Sequence, residues 1–278
     1  PPGLGSFPLR HVDDFAERVP ADWSRHGGVM LPMYQAEAMW MNFSSHGGAG
    51  APAYPIALKI ATGRIDAISG EEWTGTLGAD PQDYVVVPEQ PWLDGFCVGK
   101  GVIRQFVAMT LGAGYSVEEQ VTGRGAFGGV QIMAVPMKRR AYERLVAAAR
   151  SCRPDPFVVQ ASLAPASAPD MGLAPGGRMQ QEIHEDPHGL DVWDLEHASR
   201  CFVHLTNALV WRAVTGDDPP TPPPTAKEYT DAGLPWFDHY AELPAVEGSK
   251  VLGSLKSVIE TGRERGDVPL PENEPVAV

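Results

Sequence analysis

Short apolar segments bounded by glycine or proline run through the first half of the chain. Strand-like segments lie at 84–87, 102–109, 115–120 and 129–135. Segments of this length, separated by residues that end regular structure, are typical of antiparallel strands joined by turns. The 30 glycines and 27 prolines are spread among them, which predicts many turns and few long helices. We therefore expect an α+β, β-rich fold with an antiparallel sandwich or barrel-like body.

Two further patterns support strands. Apolar residues alternate with period two between Gly27 and Phe43, as they do on a half-buried strand. In the segment 56–68, Thr62 and Gly63 separate two β-rich halves. That composition predicts a hairpin with a tight turn.

Helical signals are fewer. The segment 138–150 consists of strong helix formers and predicts a peripheral helix with a solvated basic face. Apolar residues recur at helical spacing over 246–259, and Gly262 is the expected stop. The pattern over 202–214 leaves strand and helix open.

Composition divides the chain into four regions. They are an N-terminal extension at 1–24, a β-rich body at 25–216, a proline-rich spacer with an aromatic strap and a helix at 217–268, and a disordered tail at 269–278. Within the body, the connection at 153–177 is rich in Pro, Ala and Gly and is the candidate internal boundary, with a further strand expected at 178–185. Whether 178–216 completes the first sheet or starts another stays open.

The aromatic strap is the candidate interface. Trp236, Phe237 and Tyr240 follow the stiff spacer at 217–225. They either dock on the body of their own chain or contact a second subunit, since aromatic residues are enriched at interfaces. Self-association is therefore one expected property.

Charge and cysteine usage exclude several classes. The formal net charge is −13, the opposite of what a nucleic-acid binder shows. The 3 cysteines form no Cys-x-x-Cys pair, which indicates neither a disulfide framework nor a thiolate zinc knuckle. With no apolar run long enough for a membrane helix, we expect a cytoplasmic protein without nucleic-acid or membrane partners.

A histidine and several carboxylates cluster in Q-E-I-H-E-D-P-H at 181–188. If this segment is a strand, Glu182, His184 and Asp186 lie on one face and can share a divalent ion such as iron, zinc or manganese. His188 is a further candidate. The remaining ligand is left open between His188, His197, His204 and His239. The alternative is a polar strand face in water.

A second cluster lies in the loop 88–95, where Glu89 and Asp94 flank Trp92. Two carboxylates beside an indole are the groups from which sugar sites are built. The alternative is a structural corner. Three functions follow: a binding or assembly protein without a complete catalytic motif, a metal-dependent oxygenase or hydrolase at 182–188, and a carbohydrate-binding or carbohydrate-cleaving protein.

Overall fold

The computed structural model describes residues 6–43, 52–151, 171–217 and 244–266. The strands are β1 (Arg10–His11), β2 (Val29–Pro32), β3 (Ala38–Met39), β4 (Met41–Asn42), β5 (Ile56–Thr62), β6 (Ile65–Asp66), β7 (Val85–Val87), β8 (Trp92–Leu93), β9 (Gly95–Gly99), β10 (Val102–Thr110), β11 (Val130–Pro136), β12 (Met171–Gln180) and β13 (Ser199–Thr206). The helices are α1 (Ala21–His26), α2 (Val117–Thr122), α3 (Arg139–Ser151), α4 (Ala208–Thr215), α5 (Lys250–Ser254) and α6 (Val258–Arg265). The predicted α+β, β-rich class is confirmed.

Two sheets form the body. The larger has the order β1-β2-β13-β11-β5-β6, with β7 also on β5, and is antiparallel except for the β2–β13 pair. The smaller has the order β12-β10-β3, with β9 also on β10, and a separate two-stranded piece joins β4 to β8. The region 178–216 therefore serves both sheets, because β12 lies in one and β13 in the other.

The two sheets share one apolar core, which makes the body a sandwich. Ile60, Val130 and Leu205 of the larger sheet lie in the same buried cluster as Phe96, Phe106 and Leu173 of the smaller one. The rings of Phe96 and Phe106 meet edge to face at 4.7 Å between centroids, a favoured aromatic geometry. Among the strands that the structure describes, no sheet closes into a barrel, so the barrel-like alternative is not confirmed.

Helices and loops cover the outer faces. On the larger sheet, Ala141 of α3 packs with Trp193 and Tyr84 at one end, and Trp23 of α1 packs with Trp211 of α4 at the other. On the smaller sheet, Val258 of α6 joins a separate cluster. Trp23 falls in the region predicted as an N-terminal extension, so part of that region packs on the body. The four-region division itself stays a prediction.

Local turn chemistry was predicted correctly at the first hairpin. Thr62 pairs with Ile65, and the two residues between them both have positive φ, +54° at Gly63 and +66° at Arg64. That is the two-residue turn whose twist matches the strands on either side. The helix predicted at 138–150 is likewise confirmed by α3.

Two predictions of secondary structure, one of a strand and one of a helix, were wrong. The segment 115–120 is not a strand, because Ser116 and Glu119 form a capping box that starts α2. The helix predicted over 246–259 is divided into α5 and α6. A second box of Ser257 and Glu260 starts α6, and its stop is Gly266 rather than Gly262.

The prediction for the middle of the chain placed a strand too late. β12 begins at Met171, inside the predicted connection at 153–177, and ends at Gln180, before most of the predicted strand at 178–185. It pairs with β10 over almost its whole length, with an irregularity at Gln105. Pro175 is tolerated because β12 is an edge strand of its sheet.

Three predictions lie outside the described residues. They concern most of the proline spacer, the strap with Trp236, Phe237 and Tyr240, and the tail at 269–278. Within the described ranges, no helix has both the length and the apolarity needed to cross a membrane.

Candidate functional site

Three glutamine side chains tie two distant segments together, and this arrangement positions the candidate residues. Gln82 donates to His184 O at 3.0 Å and accepts from Asp186 N at 2.8 Å. Gln90 likewise accepts from His184 N at 3.0 Å and donates to Glu182 O at 3.3 Å. Side-chain amides thus bond the backbone of 182–186 on this side, while Ile183 O and Glu185 N bond to backbone atoms of 244–246.

The third glutamine holds the other end of the same frame. Gln181 donates to Trp92 O at 3.2 Å and accepts from Asp94 N at 3.0 Å. Gln90 and Gln181 are both buried, so their bonds satisfy backbone groups that water does not reach. We call segments 82–94 and 181–188, held in this way, the glutamine-tied frame.

The strand on which the metal face was predicted is not present at 181–186. Residues 181–186 do not continue β12, and His184 contributes only an isolated bridge to Ala245. The alternation that would put Glu182, His184 and Asp186 on one strand face is therefore absent from the structure. The ring of His184 is buried.

Asp186 is engaged by its own surroundings. Its Oδ2 accepts bonds from Tyr84 OH at 2.6 Å and Trp193 Nε1 at 2.9 Å, and its Oδ1 accepts from His188 N at 2.7 Å. Burial, followed by the Asp186 carboxylate, raises the pKa of Tyr84 far above its usual range. The phenol therefore stays protonated and remains a donor. Asp186 serves as an anchor for three donors, one of which is the backbone of His188.

The structure brings together one residue from each predicted cluster, Glu89 and His188. His188 Nε2 lies 3.4 Å from Glu89 Oε1, and the two side chains are 15% and 23% exposed, respectively. Among the residues that the structure describes, neither His188 Nε2 nor Glu89 Oε2 has a hydrogen-bond partner. The ring of Trp193 stands edge-on to the His188 ring, with 5.9 Å between centroids. The pair thus lies beside the residues that Asp186 holds.

The other members of the 88–95 loop turn inward. Trp92 Nε1 donates to Asp94 Oδ2 at 3.1 Å, and Asp94 is buried. The Asp94 carboxylate is therefore engaged by the indole within the loop. Glu89 pairs with a histidine of the other segment instead.

The remaining candidate histidines are dispersed. His197 Nδ1 lies 3.0 Å from Asp194 Oδ2 on the surface. His204 is stacked between Trp23 and Phe202, and burial lowers its pKa to about 4. In the described part of the chain, no three His, Cys, Asp or Glu residues stand close enough to hold one metal ion. His239 lies outside that part.

A buried carboxylate that the sequence reasoning missed is Glu118. Its carboxylate accepts bonds from the backbone N–H groups of Ala126, Phe127 and Gly128, at 2.8, 2.9 and 2.9 Å. Such amides cradle phosphate in nucleotide-binding loops, but here the protein's own side chain occupies them. A glutamate on the helix before the glycine-rich loop was the available signal.

Cys97 is a buried thiol. Burial and the nearby Asp66 raise its pKa to about 12, so it carries almost no thiolate at neutral pH. Burial also raises the pKa of Asp66 itself to about 7, against the opposing bonds from Ser69 and Ile68. Nucleophilic chemistry therefore gains no support at Cys97.

The chain matches no protein-family model, no curated protein and no solved structure. What the site does has to be inferred from its own geometry. Of the residues predicted as candidates, Glu89 and His188 come from separate clusters and lie 3.4 Å apart. Among the described residues, Glu89 Oε2 and His188 Nε2 have no hydrogen-bond partner. They define the candidate site.

Proposed function

We propose that this is a binding protein and that its ligand site is the Glu89–His188 pair. The observation that supports the proposal is the pair itself: a carboxylate and an imidazole held 3.4 Å apart, with Oε2 and Nε2 unpartnered within the described structure. Buried polar atoms in proteins nearly always have partners. A ligand is the natural source of the missing ones.

The chemistry of the two atoms limits the ligand. An ionised carboxylate only accepts hydrogen bonds, whereas an imidazole nitrogen accepts or donates according to its tautomer. A group that satisfies both is either a cation or a hydrogen-bond donor such as an amine or a hydroxyl. The edge of the Trp193 indole ring, close to His188, adds an apolar wall of the kind small-molecule sites contain.

The surrounding structure is suited to binding because it is held by other residues. The glutamine-tied frame and the three bonds to Asp186 fix the backbone on both sides. Neither requires the Glu89 carboxylate or the His188 ring. The two functional groups are thus positioned in advance, which lowers the cost of ordering them around a ligand.

A thermal-shift screen tests the proposal in two arms. One arm contains organic amines, amino acids and monosaccharides in the presence of EDTA, and the other contains single metal salts without chelator. We expect at least one compound to stabilise the parent protein but neither Glu89→Gln nor His188→Gln. Asp194→Asn, at a carboxylate of similar exposure that is bonded to the exposed His197, is the matched control and keeps the shift.

Two results would overturn the proposal. In one, no compound in either arm stabilises the parent protein. In the other, the stabilisation persists in both variants, which would place the ligand elsewhere. Circular dichroism of each variant verifies that it is folded.

A further inference from the structure

We propose that the ligand of this site is a divalent transition-metal ion of the zinc class, coordinated by Glu89 and His188. This inference rests on the proposed binding function and chooses between the two ligand types that the pair admits. The choice depends on the distance between the two donor atoms, on their chemical identity and on the residues that hold His188.

The distance favours joint coordination over a direct hydrogen bond. A charged N–H···O⁻ bond is about 2.7–2.9 Å long, whereas His188 Nε2 and Glu89 Oε1 are 3.4 Å apart. Nitrogen and oxygen ligands of zinc lie about 2.0–2.2 Å from the ion, so at a tetrahedral angle they are roughly 3.3–3.5 Å from each other. The observed separation falls within that range.

The bonding of the two atoms agrees with this distance. His188 Nε2 has no hydrogen-bond partner among the described residues even though a carboxylate oxygen stands close by. The proton or lone pair on Nε2 is therefore not aligned with Oε1. Two metal-ligand atoms at this separation, with no hydrogen bond between them, are therefore available to a common third atom.

The donor types select the class of ion. One imidazole nitrogen and one carboxylate suit zinc and neighbouring first-row metals, while calcium and magnesium prefer oxygen ligands alone. Two protein ligands leave further positions on the ion for water or for a substrate group, and other atoms of both side chains reach solvent. Fewer protein ligands than in structural zinc sites imply a modest affinity.

The Asp186 anchor holds the chain on which the proposed ligand His188 lies. Its Oδ1 accepts from the backbone N–H of His188 at 2.7 Å, and its Oδ2 holds Trp193, whose ring stands against the imidazole. These contacts hold the backbone of His188 and place a neighbouring ring beside its imidazole, which limits where the imidazole can lie. The predicted metal cluster thus contributes an anchor, Asp186, and one ligand, His188, while the other ligand comes from the 88–95 loop.

Isothermal titration calorimetry with Zn²⁺ alone, on chelator-treated full-length protein, tests the inference. We expect binding to the parent at about one ion per chain that Glu89→Gln and His188→Gln each weaken at least ten-fold. His197→Gln is the matched control, because it removes a ring nitrogen from an exposed pair and should leave the affinity unchanged.

The outcomes separate this inference from the proposed function. If Zn²⁺ does not bind, but an organic compound stabilises the protein through Glu89 and His188, the metal inference is wrong and the binding function stands. If Zn²⁺ binds equally well to both site variants, or loses affinity in His197→Gln, the ion lies elsewhere and the inference is also wrong. If neither ions nor organic compounds bind, both fail.

Discussion

The Glu89–His188 and Asp194–His197 pairs contain the same two chemical groups in different surroundings. In the first, the nearest nitrogen and oxygen are 3.4 Å apart and neither side chain is more than 23% exposed. In the second, they are 3.0 Å apart, and the histidine is 74% exposed while the aspartate is 26% exposed. The first lies between segments held by other residues, and the second lies within one turn of the chain.

The two pairs differ in whether their side chains already bond to each other. Asp194 and His197 satisfy each other: the hydrogen bond between them lowers the pKa of Asp194 and raises that of His197. Local sequence brings them together, and water screens them. Glu89 and His188 are brought together by the fold, and no hydrogen bond joins them. Proximity of a carboxylate and an imidazole is therefore not by itself a sign of function.

The largest expected effect on stability comes from replacing Asp186, the aspartate near His188. Asp186→Asn leaves at least one of its three donors, Tyr84 OH, Trp193 Nε1 or His188 N, without an acceptor. An unsatisfied buried donor costs about 1–3 kcal/mol, so we expect a loss of about 2–3 kcal/mol in the free energy of unfolding. Urea denaturation measures it.

The control for that prediction is the other aspartate. Asp194→Asn should leave the urea midpoint unchanged within error, because the bond that it weakens is exposed. Equal losses in the two variants would mean that Asp186 is not an anchor, and the comparison between the pairs would lose its basis.

A second prediction extends the comparison to a buried histidine. Burial lowers the pKa of His204 from 6.5 to about 4, so on acidification the unfolded chain takes up a proton that the folded protein refuses. The contribution of His204 to stability is therefore lost as the pH falls from 6.5 to about 4. His204→Gln should flatten this dependence by up to about 1 kcal/mol per pH unit.

Urea unfolding at several pH values across that range measures the slope. Asp66 acts in the opposite direction, since its raised pKa makes the folded state gain stability as the pH falls, so the variant must be compared with the parent at each pH. His197 has the opposite effect on the pH dependence of stability, so His197→Gln is the comparison variant. The raised pKa of His197 stabilises the protein at acidic pH, and that contribution disappears as the pH rises. A steeper slope in His204→Gln would contradict the assignment of a neutral buried ring.

The smallest expected effect on the stability of the protein comes from replacing a residue of the candidate site. Without ligand, Glu89→Gln should change the free energy of unfolding by less than about 1 kcal/mol, because no hydrogen bond joins Glu89 to His188. Parallel urea curves at neutral pH measure the difference. A loss as large as that of Asp186→Asn would show that the pair is structural, and it would remove the distinction from the Asp186 anchor.

Features coded by adjacent residues could be predicted from the sequence, and features made by tertiary pairing could not. The hairpin at Thr62 and Gly63 depends on local conformation and was predicted. The strand β12 contains Pro175 and several glycines, which read as a connection, and it is a strand because β10 pairs with it. The capping box of Ser116 and Glu119 is an exception, because it is formed by residues close in the sequence and yet the segment was predicted as a strand.

The candidate site was predicted in parts. Both Glu89 and His188 were named, but in separate clusters with different chemistry. What joins them is the set of glutamine bonds across segments distant in the chain, and no spacing rule connects such residues. The period-two argument for Glu182, His184 and Asp186 failed because the strand ends at Gln180.

The glutamine-tied frame has a consequence for how such a protein can change. Gln82, Gln90 and Gln181 bond to backbone atoms, which every residue type except proline offers alike. Positions 89 and 188 can therefore be substituted while the frame keeps its geometry. Single substitutions at these positions could change which ligand is bound while the sandwich and the glutamine-tied frame stay intact. The fold and the specificity of the site could therefore evolve separately.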